Sequence, residues 1–370
     1  MQNLNLQKTK EHFYAVVMAG GGGTRLWPLS RKAKPKQMLK LVDERTLFQA
    51  AIERLDGLFP PEHIYVVTVE EQAVDLQAQA PQIPVENYLL EPMPRGTASV
   101  VGFAAVAIQN RDPEAVMAVL TADHIIKNEQ KYRQLLRSAY DAAQDGYLVT
   151  LGITPTYPAT GYGYIQQGEM IGVYQDLEVC RALRFREKPS EERAREMLAS
   201  GDHAWNSGMF VWQVERIMDE FARQMPELHQ KLAEISEAWD QPQCPEVIRQ
   251  VWPTIRPETI DFGIMENARD VAVIPAKDLG WSDVGTWDAL FDVLPADADG
   301  NVFRGDGYML LDTRDTLIYT TQGQRLVVTI GVDDLVVVDT GDVVLVCKKD
   351  QVQRVRQVVE QLKQENQAFI

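Results

Sequence analysis

The sequence predicts an α/β fold, a parallel or mixed sheet wrapped by helices, followed by a small second unit made of β-structure. Two observations carry this. Short apolar runs recur at Tyr14–Met18, Ile64–Val69, Val116–Leu120, Tyr147–Ile153 and Val271–Ile274, with helical patterns such as Thr97–Gln109 and Lys131–Ala143 between several of them. After Leu294 the texture changes. Pro295-Ala296-Asp297-Ala298-Asp299-Gly300 reads as a linker, and beyond it come short strands separated by Gly-Asp and Thr-Gly-Asp turns.

The first run, Tyr14-Ala15-Val16-Val17-Met18, is continuous rather than alternating, as expected of a strand buried on both faces. It ends in Gly20 to Gly23, a flexible loop at the strand's carboxyl end, where ligands of open α/β sheets gather. In the tail, Val336–Val338 and Val343–Val346 are the clearest strands, on either side of the turn Asp339-Thr340-Gly341-Asp342. Apolar residues at helical spacing from Val352 to Leu362 predict a terminal helix. The expected division is a catalytic domain over residues 1–294 and a C-terminal β domain over 301–370.

Composition narrows the function. The chain has 370 residues, 45% of them hydrophobic and 24% charged, which is the make-up of a globular protein long enough for a large core. A net charge of −16 disfavours nucleic acid and anionic membrane as partners, since both call for a broad basic surface. An anionic substrate must then be met by local positive charge. Cys180, Cys244 and Cys347 are too far apart for a CxxC motif or a disulfide framework. With a polar leader and no run of membrane-spanning length, a cytoplasmic location is expected.

The loop Gly20-Gly21-Gly22-Gly23-Thr24-Arg25 is the most informative segment. Glycines after a strand let backbone N–H groups approach phosphate oxygens with no side chain between them. The spacing is neither that of a dinucleotide fingerprint nor that of a P-loop, so hydride transfer and Walker-type hydrolysis lose support. Glycines serving only a tight turn are the plain alternative. Arg25, Arg31 and Lys36 add cations to the same stretch, as a polyphosphate would require.

Ala19 to Arg31 together with Pro35-Lys36-Gln37 resembles the signature of the mannose-1-phosphate guanylyltransferases, the GDP-mannose pyrophosphorylases. The resemblance continues in order through Glu91-Pro92 with Arg95 and Thr97-Ala98, Thr121-Ala122-Asp123-His124, Gly161-Tyr162-Gly163-Tyr164-Ile165, Phe185-Arg186-Glu187-Lys188-Pro189, Trp205-Asn206-Ser207-Gly208-Met209-Phe210 and Gly280-Trp281-Ser282-Asp283-Val284-Gly285. It departs at Gly96 and Ser99, where the family pattern has Asn and Pro, and at Asn267, where Lys is common.

What the resemblance implies is a nucleotidyltransferase-type, Rossmann-like mixed sheet flanked by helices, then a short left-handed β-helix-like domain and a terminal helix. The implied reaction transfers GMP from GTP to mannose 1-phosphate. Ala19, Gly20, Gly21, Gly22, Gly23, Thr24, Arg95 and Thr97 are then expected to bind the nucleotide, and Gly161, Glu187 and Asn206 the sugar. Arg25, Lys36 and Lys188 are expected to neutralise phosphate charge, and Asp123 and Asp283 to hold Mg²⁺. A strand-end aspartate is by itself more often a turn residue, Glu187-Lys188 a surface ion pair, and Trp205 and Trp281 core aromatics. His124, one of five scattered histidines, reads as structural. The tail is expected to bury apolar surface against the catalytic domain or a partner subunit, giving a homo-oligomer, most simply a dimer.

Rival readings are the same chemistry on another sugar phosphate or base, and a regulatory homologue that binds nucleotide sugar without turnover. The second would be expected to lack Arg25, Asp123 or Asp283, and all are present. A β-helix acyltransferase needs more regular hexapeptide turns than the tail shows. No isomerase domain is expected beyond Ile370.

Overall fold

The computed structural model describes residues 11–21, 23–321 and 325–370. By its internal contacts the chain forms two compact units. The first comprises residues 1–20, 52–121 and 126–280, and the second residues 21–51, 122–125 and 281–370. The chain passes between them at Gly20, directly after the first strand, and again at Thr121 and Gly280.

The first unit is built on a nine-stranded mixed sheet. Its strands are β1 (Phe13–Met18), β2 (Ile64–Val69), β3 (Tyr88–Glu91), β4 (Val116–Thr121), β5 (Leu148–Ile153), β6 (Tyr164–Tyr174), β7 (Leu177–Arg186), β8 (His203–Gln213) and β9 (Val271–Ala276). They lie in the order β3-β2-β1-β4-β8-β5-β9-β7-β6, and β6 also pairs with β8. β1 runs parallel to β2 and β4, with Met18 opposite Val67 and Thr121. The continuous apolar runs are explained by position, since Val16, Val17, Val66 and Val119 are all fully buried in the middle of the sheet.

The helix Thr97–Arg111 is buried from Ala98 to Ile108, and it packs with the helices Val214–Gln224 and Pro226–Glu237. Its small residues, Ala98, Ala104, Ala105 and Ala107, fit a helix surrounded by protein rather than amphipathic at a surface. β3, β6 and β8 were not among the expected strands, while the alternating stretch Val179–Phe185 falls within β7. β6 and β7 form a long hairpin whose outer residues alternate only loosely, because bulges interrupt its register between Gln166 and Gly172.

In the second unit, β10 (Val302–Arg304), β12 (Leu317–Thr320) and β14 (Leu335–Asp339) pair in parallel, while β11 (Tyr308–Arg314) pairs in parallel with β13 (Val327–Asp333). Parallel rungs from consecutive stretches of chain are the coils of a short β-helix. β15 (Val344–Lys348) closes the larger sheet antiparallel to β14, and the helix Val355–Glu365 comes after it.

This unit has one core, and it takes in the loop after β1. Leu26, Trp27, Leu29, Leu39 and Leu41 are buried with Trp287, Val336, Val338, Val352, Val355 and Val359. Polar contacts tie the same pieces: Trp287 Nε1 donates to the Trp27 carbonyl at 3.0 Å, Trp27 Nε1 to the Phe369 carbonyl at 2.7 Å, and Tyr319 Oη to the Lys40 carbonyl at 2.9 Å. Among the described residues no helix is long and apolar enough to cross a membrane.

Candidate active site

In the first unit the expected residues collect at the carboxyl edge of the parallel strands. Ala19 continues from β1, its N–H donating to the Val67 carbonyl at 2.8 Å while its own carbonyl accepts from Thr68 Oγ1 at 3.0 Å. Gly20 comes next with the Glu91 carboxylate beside it, 3.5 Å from where a Cβ would stand. Glu91 ends β3 and is 3% exposed, and its Oε2 has no hydrogen-bond partner among the described residues. Burial pushes its carboxyl up to about 7, with the Arg95 backbone N–H pulling the other way.

Arg95 and Thr97 have internal partners. Arg95 Nη2 donates to the Pro253 carbonyl at 2.5 Å, and Thr97 Oγ1 accepts from the Ile260 N–H at 2.9 Å. Gly96 between them has φ 85°, and a Cβ would collide with the Glu258 carbonyl. That accounts for glycine where the family pattern has asparagine.

The sugar-site candidates come from three strand ends. Tyr164 pairs with both Arg186 and Trp205, so Gly163, Glu187 and Asn206 each lie one residue from that row. The Asn206 N–H donates to the Gly163 carbonyl at 2.8 Å. A Cβ on Gly163 would collide with Glu187 Oε2, whereas Gly161 is exposed with open space around it. Gly163 therefore lies close against the Glu187 carboxylate. Glu187 and Lys188 do form an ion pair, at 3.2 Å, with the lysine side chain 66% exposed and the glutamate 17%.

Asn206 is held at both ends of its amide. Its Oδ1 accepts from the Gly208 N–H at 3.1 Å, and its Nδ2 donates to Asp261 Oδ1 at 2.6 Å. Burial pushes the Asp261 carboxyl up to about 6, and the charge of Glu187 adds to that; Asn206 and Lys188 act in the opposite sense. Sequence reasoning gave neither Glu91 nor Asp261 a role. Glu91 had a local signal, an acidic residue ending the apolar stretch Tyr88-Leu89-Leu90. Asp261 had none, its partner Asn206 being 55 residues away.

The second unit holds the remaining ionic candidates, Arg25, Lys36, Asp123 and Asp283. Gly21 and Thr24 are exposed, and Gly22 lies outside the described residues. Gly23 has φ 55°, and a Cβ there would collide with that of Lys36. Glycine at this position therefore serves both a left-handed turn and the close approach of Lys36. Arg25 is exposed on the turn Thr24–Leu26 and has no hydrogen-bond or ion-pair partner among the described residues.

Lys36 is 7% exposed. Its ammonium donates to Asp123 Oδ2 at 2.8 Å and to the backbone carbonyl of Asp283. Burial pushes the Asp123 carboxyl up, but Lys36 and His124 outweigh it and hold the group below the usual carboxylate range. Trp281 and His124 form the strut behind it: indole Nε1 donates to His124 Nδ1 at 3.2 Å, with the rings edge to face at 5.3 Å. Asp283 Oδ1 accepts from the Gly285 N–H at 3.1 Å. Asp123, through its carboxylate, and Asp283, through its backbone carbonyl, thus meet at one lysine ammonium although far apart in sequence. An all-oxygen set that already holds one cation fits a hard divalent ion.

A strand-to-glycine-loop opening, a mixed sheet with its polar groups at the carboxyl edge, and an appended β-helix together define a nucleotidyltransferase. Residues 14–300 match the family described as Nucleotidyl transferase, and residues 306–362 match the MannoseP isomerase/GMP-like beta-helix domain. The chain is 40% identical over 355 residues to the mannose-1-phosphate guanylyltransferase of Escherichia coli K12, covering 95% of this chain and 73% of that protein. It is 36% identical over 356 residues to the alginate biosynthesis protein AlgA of Pseudomonas aeruginosa, covering 94% and 71%. A solved structure from Thermus thermophilus, described as a mannose-1-phosphate geranyltransferase, superposes with a TM-score of 0.85 at 36% identity, covering 95% of this chain and 99% of that one. The chain belongs to the mannose-1-phosphate guanylyltransferase family.

Proposed function

We propose that this protein transfers GMP from GTP to mannose 1-phosphate, releasing pyrophosphate and forming GDP-mannose. A phosphate oxygen of the sugar phosphate attacks the α-phosphorus, a new P–O bond forms, and the bond to the β-phosphate bridging oxygen breaks. No covalent enzyme intermediate is required. The observation that carries the reading is the buried Lys36 ammonium set against Asp123 and Asp283, beside a glycine loop that continues from a sheet strand.

Two anions must be held together, so most of the work is positioning and neutralisation. Arg25, whose charge is uncompensated among the described residues, meets the triphosphate, and Lys36 and Lys188 meet phosphate oxygens. Ala19, Gly20 to Gly23 and Thr24 cradle the nucleotide, with Arg95 and Thr97 bracing its pocket. Asp123 and Asp283 would hold Mg²⁺, which supplies charge neutralisation at the reacting phosphates. Glu91 favours guanine because a carboxylate accepts from two adjacent donors, the N1–H and N2–H of that base, and adenine presents an acceptor at the same edge. Gly161, Glu187 and Asn206 take the hexose.

Pyrophosphate release over a grid of nucleoside triphosphates and sugar 1-phosphates tests this. GTP with mannose 1-phosphate should be the preferred pair. A different preferred pair would move the substrate assignment, and no release with any pair would favour a non-catalytic nucleotide-sugar-binding protein.

A further inference from the structure

We propose that Asp261 sets the protein's grip on the hexose, fixing the Asn206 amide and, together with Glu187, accepting hydroxyls of the bound sugar. This rests on the reading that the site holds a nucleotide sugar. Asn206 has its carbonyl end taken by the Gly208 N–H and one amide hydrogen taken by Asp261, which leaves one N–H to offer a ligand. With the amide pinned at both ends, the site presents one fixed donor and two carboxylates as acceptors. That complements a polyol, whose hydroxyls both donate and accept.

Asp261 is itself held by the backbone. It lies in the short helix Ile260–Gly263, capped by Thr259 Oγ1 accepting from the Phe262 N–H at 3.3 Å. Ile260 is 1% exposed and its N–H is bound by Thr97 Oγ1. The Glu258 N–H donates to the Arg95 carbonyl at 3.2 Å, and the Ala98 N–H to the Glu258 carbonyl at 3.2 Å. The Arg95–Ala98 segment thus serves as the bracket that places Asp261.

The groups facing Asp261 are Glu187 and Lys188 beyond the end of β7, Asn206 on β8 and its own backbone N–H. No cation is in hydrogen-bond contact with it among the described residues, and neutral donors such as sugar hydroxyls would satisfy it. Holding an ionised carboxylate beside Glu187 works against folding, so the position favours binding at the expense of stability.

The test is GDP-mannose binding by titration calorimetry to the whole protein and to Asp261→Asn and Asp261→Ala. GDP-mannose is the right probe because esterification removes the second phosphate ionisation near about pH 6 that complicates mannose 1-phosphate. Wild-type affinity should fall as pH drops below about 6, approaching tenfold per pH unit, as expected when a bound group must lose one proton. Asp261→Asn keeps the shape and can still accept from Asn206, and it should bind about tenfold more weakly at pH about 8 with a flat pH profile below it. GDP affinity at that pH should be the same in all three proteins. The Asp261→Asn protein should melt no lower than wild type, a result that a merely structural role would reverse. A variant that binds GDP-mannose with wild-type affinity and the wild-type pH profile overturns the assignment of Asp261 alone. Wild-type protein that binds GDP-mannose no better than GDP at any pH overturns both this assignment and the functional reading beneath it.

Discussion

The carboxylates of the candidate site are treated in opposite ways in the two units. In the sheet unit, Glu91 and Asp261 have no cation in hydrogen-bond contact among the described residues, and burial pushes both up, to about 7 and about 6. In the second unit Asp123 is also pushed up by burial, but Lys36 at 2.8 Å and His124 together more than reverse it. The difference separates two kinds of recognition. A carboxylate left undersatisfied is suited to neutral donors, which a base edge or a sugar hydroxyl supplies. A carboxylate already paired with a cation is suited to exchanging one ion for another, as phosphate and metal chemistry demands.

The largest expected effect tests whether the glycine loop belongs energetically to the second unit. Deleting residues from Asn301 onward removes no proposed catalytic side chain, yet it strips Val336, Val338, Val352, Val355 and Val359 from the core around Trp27 and Leu39. Each such buried valine is worth about 1.5–3 kcal/mol relative to exposure, so the loop and Lys36 should lose their support. Turnover should disappear along with the second unit's share of the thermal transition. A truncated protein with near-normal turnover would show that the loop is held from elsewhere.

Next comes the ionic pair. Asp123→Asn and Asp283→Asn keep side-chain shape but remove charge, and each should lower turnover by about a thousandfold, with partial rescue by excess Mg²⁺. The double variant should be little worse than the worse single, because residues acting through one ion are not additive. Steady-state rates across a Mg²⁺ titration decide this. Multiplicative losses with unchanged Mg²⁺ dependence would separate the two aspartates.

Glu91→Gln sharpens the other side of the comparison. The folded-state value of about 7 lies above the ordinary 4.5, so the stability this group contributes is fully present below about 4.5 and is lost as pH rises through 7. A shift of that size corresponds to about 3 kcal/mol. Chemical denaturation on either side of that window should show the loss in wild type and not in the variant. The variant should also lose about tenfold or more of its preference for GTP over ATP. An unchanged preference would take Glu91 out of base reading even if the stability change appears.

The smallest effect concerns assembly. Met309 and Leu311 on β11 lie opposite Val328 and Ile330 on β13, and all four are exposed, making an apolar stripe on the second unit. We propose that a second copy of the chain covers it. Leu311→Glu with Ile330→Glu should shift sedimentation toward monomer while turnover falls by no more than about twofold. A wild-type monomer at assay concentration would end that proposal.

Much of the architecture was legible because its signals are local. Continuous apolar runs marked β1, β2, β4, β5 and β9, glycine after β1 marked the loop, and the change of texture after Leu294 marked the β-helix. β6 and β8 were harder. Bulges leave β6 with no clean alternation, as in Gln166-Gln167-Gly168-Glu169, and β8 pairs with strands remote in sequence.

By itself, then, the sequence determined the fold class, the family and most of the polar residues at the sheet edge, since strand runs, glycine turns and motif blocks are written within a few residues of one another. Only the tertiary structure decided that residues 21–51 pack with the β-helix, that Lys36 meets Asp123 and Asp283 across 87 and 247 residues, and that Gly163 lies against Glu187. It alone also decided which carboxylates are left undersatisfied. Desolvation and charge pairing depend on what the folded chain brings within a few ångströms, and local sequence carries no record of that distance.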